Sequence, residues 1–194
     1  MITSTKNPRI IEARKLAQRK HRMKQNRFLV EGLQLLTMAI EAAQTSGRAQ
    51  PLDVFYCDEL FTGETAPRLL TQLTELGANA IAVTPNVLDS LSERDTSQGL
   101  AATFALQQLE WSLEEIGQNL LDLTSNALIL ILDKLQDPGN LGTLIRTADA
   151  VGAQAVILLE PCVDLFDVKT IRGTMGSLFT MPFSRIKDMD ELWP

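Results

Sequence analysis

The sequence predicts an α/β protein built from two units. Short β-branched or aromatic runs alternate with helical periodicity through the first hundred residues. A polar stretch follows, and a second strand–helix–strand pattern opens at Ala127. Such alternation marks helices packed on sheets rather than an all-helical or all-strand fold.

Asn7 before Pro8 reads as a helix N-cap with proline at the first helical position. Ile10, Ile11, Ala13, Leu16 and Ala17 then recur at helical spacing, followed by a short strand at Phe28–Val30. Glu31-Gly32 opens a helix carrying Leu33, Leu36, Ala39, Ile40 and Ala43, and residues 45–51 are loop by composition. Further strands are expected at Val54–Cys57, Ala80–Val83 and Leu100–Phe104, with helices at Pro67–Leu76 and Pro85–Leu91. Residues 1–106 therefore read as a small α/β sandwich. Residues 107–126 read as a linker with a helix at Leu113–Leu121. In the second domain, 127–194, Leu128–Leu132 is apolar on both faces, as in a central parallel strand. A loop at Asp133–Asn140, a helix at Leu141–Val151 and a strand at Ala155–Leu159 complete a unit whose ligand chemistry belongs beyond the first strand's carboxyl end. A helix at Val168–Met175 and a short strand near Phe179 follow, a small sheet for a doubly wound domain.

The longest apolar run, Ala127–Leu132, is far short of the roughly 20 residues that cross a bilayer. The start Met1–Pro8 lacks the apolar core of a signal peptide, so a cytoplasmic location is expected. Cys57 and Cys162 have no second Cys or His at metal-ligand spacing and read as buried thiols. His21 sits in a basic run without a partner that would make it a catalytic base, and no metal site is expected.

The net charge of −6 hides an asymmetry. Lys6, Arg9, Arg14, Lys15, Arg19, Lys20, Arg22, Lys24 and Arg27 stand against Glu12 alone, which makes the first thirty residues +8 and the remainder −14. That pattern is either a polyanion-binding arm on an acidic body or a solvated helix face. On the first reading Lys6, Arg9, Arg14, Lys15, Arg19, Lys20, Arg22 and Arg27 are the candidate RNA contacts.

The segment that carries chemistry runs from Asp133 to Ala150. Pro138-Gly139 makes a tight turn, and Gly142 permits close approach of another backbone or a ligand. Helix N-terminal amides favour a phosphate there, and Asn140 can cap the helix or contact a ligand. Arg146 either reaches that ligand or makes an exposed salt bridge to Asp149 or Asp133. Neither a dinucleotide fingerprint nor a P-loop is present.

Asn140, Gly142, Arg146, Thr147 and Ala148, with Asp137-Pro138-Gly139 before and Asp149–Gly152 after, resemble the first signature motif of the SpoU/TrmH branch of the SPOUT RNA methyltransferases. Arg172–Phe179 with Pro182 resembles the segment that follows in that family. Phe28–Gly32 and Ser97–Ala101 are similar to its ribosomal-protein-like substrate-binding domain. The resemblance implies S-adenosylmethionine-dependent 2′-O-methylation of structured RNA, ribosomal RNA above all, by a homodimer with no metal and no membrane. It implies Asn140 and Arg146 as catalytic residues. The family's Gly-x-Glu-x-x-Gly loop and Ser-Leu-Asn segment, which build its α/β knot and hold the donor, have no match in 1–194. The C-terminal domain is thus expected to be partial, with cofactor residues beyond Pro194. The rival reading is a non-catalytic RNA-binding protein. A nucleotide-binding oxidoreductase has only the generic strand–helix alternation behind it.

Overall fold

The computed structural model describes residues 1–92, 97–121 and 126–192, and the chain divides into Met1–Gln107 and Gln108–Pro194. The first unit contains α1 (Pro8–Lys15), α2 (Arg19–Gln25), β1 (Arg27–Glu31), α3 (Leu33–Ser46), β2 (Pro51–Tyr56), α4 (Thr65–Glu75), β3 (Asn79–Ala82), α5 (Pro85–Asp89) and β4 (Leu100–Ala105). Its strands lie in the order β1-β4-β2-β3; β4 is antiparallel to both neighbours and β2 is parallel to β3. All six residues of β4 are buried, so both faces of this central strand are covered. On one face α1 and α5 pack Ile10, Ala13, Val87 and Leu88 against Phe55, Ile81 and Ala101. Elsewhere α3 meets β1, α4 meets β2 and β3, and the rings of Phe28 and Phe104 lie 6.1 Å apart.

Helix α1 starts as the Asn7-Pro8 pair predicts: the Asn7 side chain accepts from Arg9 N at 2.9 Å. Helix α2 is absent from the sequence reading. Its anchor is Arg22, 3% exposed, whose Nη1 donates to Leu16 O at 2.6 Å and Ala17 O at 2.8 Å. An arginine thus satisfies carbonyls at the end of α1. Hydrophobic periodicity is blind to a helix held by a cation. Arg22 is accordingly a fold residue and leaves the set of candidate RNA contacts.

The second unit contains α6 (Leu113–Leu121), β5 (Ile129–Asp133), α7 (Pro138–Ala150), β6 (Ala155–Leu159), α8 (Val168–Thr174) and β7 (Phe183–Ile186). Its sheet is parallel throughout, in the order β5-β6-β7. Three expectations are corrected. Residues 108–121 are no linker: Ile116 of α6 packs on Ala155, Ile157 and Ile186, Trp111 N donates to Phe183 O at 2.9 Å, and Arg185 grips Glu110 through two of its nitrogens. That pair raises the Arg185 pKa. The stretch looked linker-like because its apolar residues are few and its polar ones make the specific contacts. Residues 122–125 of the expected linker lie outside the described residues. Second, the strand expected near Phe179 is a 3₁₀ turn at Ser177–Phe179, and the strand begins at Phe183. Third, β5 is an edge strand of this sheet, not a central one, and leaves Ile129 and Ile131 more than a third exposed.

Helices α7 and α8 pack backbone to backbone. A Cβ on Gly142 would lie 2.7 Å from Thr170 O and 2.8 Å from the Gly173 backbone. Only glycine permits that approach.

Two outcomes follow in thermal or urea unfolding. Arg22→Ala is expected to cost the protein about 1–3 kcal/mol, because two carbonyls at the end of α1, one of them buried, lose a charged donor, whereas Arg14→Ala on the exposed face should stay within about 0.5 kcal/mol. Gly142→Ala is expected to cost about 1–3 kcal/mol by forcing α7 and α8 apart. An unchanged unfolding midpoint for Gly142→Ala would show that the two helices separate freely.

Candidate functional site

The loop 134–137 leaves the carboxyl end of β5 and turns into α7. Asp137, not Asn140, is the N-cap: its Oδ1 accepts from Asn140 N at 2.6 Å, and Pro138 occupies the first helical position. The helix therefore begins three residues earlier than its apolar periodicity indicated, because its first turn, Pro138-Gly139-Asn140, carries nothing apolar to bury. The Asp-Pro signature was legible in principle, since it is the same signal as Asn7-Pro8. Asn140 consequently sits inside the first turn with its side chain free of capping duty.

Leu141, Gly142, Ile145 and Ala148 form the buried side of α7. Asn140, Thr143, Arg146 and Thr147 are exposed on the other. The two threonine hydroxyls donate to the helix's own carbonyls, Thr143 to Gly139 O at 2.9 Å and Thr147 to Thr143 O at 2.8 Å. Arg146 makes no ion pair or hydrogen bond with the described residues. The alternative of a salt bridge to Asp149 or Asp133 is not realised. Asp149 instead accepts from Ser177 Oγ at 2.7 Å, which ties α7 to the segment after α8. The exposed face of α7 thus presents one amide and one guanidinium with no side-chain partner among the described residues. Six residues of helix put them about 9 Å apart along the axis and about 120° apart around it.

Sequence reasoning had singled out the second segment, Arg172–Phe179, but not its work. Gly173 is the other half of the close contact with Gly142, and Ser177 is the hydrogen-bond partner of Asp149. Met175 and Gly176 take positive φ, 53° and 108°, which lets the chain reverse from α8 into the 3₁₀ turn.

The basic arm is a separate feature of the first unit. Lys6, Arg9, Arg14, Arg19 and Lys20 are exposed. Lys15 pairs with Glu12 at 2.7 Å and holds that carboxyl below its ordinary range. Arg27 pairs with Asp53 at 2.7 Å. The cysteines are buried and unpaired, and burial pushes the Cys57 thiol up. Among the described residues no cluster of His, Cys, Asp or Glu is arranged to hold a metal ion, and no helix is long and apolar enough to cross a membrane.

Comparison with known proteins assigns both units. Residues 7–102 match a family described as the MRM3-like substrate binding domain, and residues 127–194 match the SpoU rRNA Methylase family. The chain is 33% identical over 184 residues to the 23S rRNA (guanosine(2553)-2′-O)-methyltransferase RlmP of Bacillus subtilis, a match covering 95% of this chain and 64% of that protein. Among solved structures it superposes on the AdoMet-bound rRNA methyltransferase from Sinorhizobium meliloti with a TM-score of 0.78 and 30% identity, covering 95% of this chain and 63% of that one. The SpoU methyltransferase AviRb from Streptomyces viridochromogenes, in complex with AdoMet, gives 0.78 at 25% identity, covering 96% and 66%. The chain spans less than two thirds of the length of these relatives. With the α/β architecture and both halves matched in order, the chain belongs to the SpoU methylase family.

Proposed function

We propose that this chain supplies the RNA-binding and acceptor-side machinery of a ribosomal RNA ribose 2′-O-methyltransferase that uses S-adenosylmethionine in the cytoplasm and works as a homodimer. The observation that carries the reading is the exposed face of α7, where the side chains of Arg146 and Asn140 stand without partners among the described residues, near a helix N-terminus. A ribose hydroxyl is a weak nucleophile, so the site must stabilise oxygen as it becomes negative and hold it in place. A guanidinium stays protonated, so Arg146 acts by charge and by two-pronged hydrogen bonding, not as a general base. Its target is the attacking 2′-oxygen or the phosphate next to it. Asn140, about 9 Å away along the helix, then touches a different part of the same sugar–phosphate segment, where its amide orients the ribose.

S-adenosylmethionine supplies an electrophilic methyl group when bound. The residues present here do not by themselves fit it. The family's donor-loop motifs, Gly-x-Glu-x-x-Gly and Ser-Leu-Asn, have no counterpart within 1–194. No cofactor residue is therefore assigned in this chain. The exposed cations of the arm, Lys6, Arg9, Arg14, Arg19 and Lys20, are proposed to grip structured RNA through its phosphates.

Calorimetric titration of S-adenosylmethionine into the 194-residue chain is expected to show no binding heat; clear one-to-one binding would place the donor site inside these residues. In a chain that does bind the donor, Arg146→Ala is expected to lower kcat on rRNA by on the order of 10²–10³ while sparing RNA affinity. Substantial turnover in that variant would remove Arg146 from the chemistry. RNA affinity should fall steeply between low and physiological salt, by about 0.7 log units per log unit of salt for each single-strand phosphate neutralised. A flat response would exclude the arm.

A further inference from the structure

Helix α1 rests on the sheet face that carries Phe55 and Ile81, and a groove of about 390 Å³ opens beside that contact. Its size falls in the range of small-ligand sites, about 300–1,000 Å³. Phe55 and Ile81 give it an apolar wall, while Arg9, Arg27, Asp53, Asn79 and Thr103 give it a polar one. The polar wall is only partly committed. Asp53 Oδ2 accepts from Arg27 Nη1 at 2.7 Å and Oδ1 from Asn79 Nδ2 at 3.3 Å, and each oxygen keeps room for a second donor. Thr103 is 1% exposed; its Oγ accepts from Asp53 N at 3.1 Å, but its hydroxyl proton has no acceptor among the described residues. Arg27 Nε is buried and also has no partner. A buried donor left without an acceptor is destabilising. Arg27 and Thr103 both line the groove, where an acceptor from outside the fold would satisfy these donors.

The groove lies in the basic part of the chain, and Arg9, exposed at its lining, offers charge to a phosphate-linked ligand. The geometry points to a recognition pocket for one unstacked RNA base, guanine by its hydrogen-bonding order. This rests on the RNA-binding reading above and adds base discrimination to the first unit. Guanine carries N1–H and N2–H₂ beside the O6 acceptor. The Asp53 carboxylate accepts the former, and Thr103 and Arg27 donate to the latter. Adenine presents its donor and acceptor in the opposite order and meets a mismatch. The apolar wall receives the face of the base, as single-stranded RNA sites commonly do.

The test is fluorescence anisotropy of the full chain, at low salt, with a short labelled oligoadenylate and the same strand carrying one central guanosine. The guanosine strand is expected to bind about tenfold tighter, and Asp53→Asn and Thr103→Val are each expected to bring the two strands within about twofold. Arg14→Ala should weaken both strands equally. Should Asp53→Asn fail to fold, the near-isosteric Thr103→Val decides. Equal binding of both strands by the unmodified chain overturns the base pocket and leaves the RNA-binding arm standing. A preference that survives both substitutions overturns the groove as its source. Failure to bind either strand overturns the RNA reading and the pocket together.

Discussion

The motif helix is held where it is by the absence of two side chains. Gly142 and Gly173 let α7 and α8 touch through their backbones, closer than any Cβ allows. The contact sets which side of α7 is buried, and so which side carries Asn140 and Arg146 outward. The Ser177–Asp149 hydrogen bond ties α7 to the segment after α8, about two turns further along α7. Asp137 fixes the first turn. Three devices thus orient one helix, and none of them uses the side chains of Asn140 or Arg146. That division leaves an amide and a guanidinium unspent, which a site for an anionic, oxygen-rich ligand requires.

In the first unit the cations divide by role rather than by sign. Arg22 is consumed by the fold, Lys15 and Arg27 by carboxylates, and Lys6, Arg9, Arg14 and Lys20 remain exposed. A net count of +8 over thirty residues therefore overstates what an RNA phosphate meets. Burying a guanidinium is costly unless its donors find acceptors, and the carbonyls at the end of α1 take those of Arg22 Nη1. The same cation also explains why the chain turns into α2 where no apolar residue directs it.

The second unit carries a tension between sequence and position. Leu128–Leu132 has the composition of a strand covered on both faces, yet β5 occupies the edge of its sheet and keeps Leu128, Ile129 and Ile131 partly in solvent. Long apolar edge strands are ordinarily shielded, since unpaired N–H and C=O groups beside apolar side chains invite association.

Much was legible from the residues alone: the two-unit α/β order, the position of every strand but β7, the Asn7-Pro8 helix start, and the motif that names the family. Those features rest on local rules, namely periodicity, capping and residue spacing, which a chain expresses before it folds. What the tertiary structure decided is which options each residue takes. It made Asp137 the cap and left Asn140 outward, gave Asp149 to Ser177 rather than to Arg146, and spent Gly142 on a neighbouring helix. It also buried Arg22 and drew residues 108–121 onto the second sheet. Each of these choices depends on a partner distant in sequence, or on a polar contact that hydrophobic patterning does not register. Only packing brings such partners together.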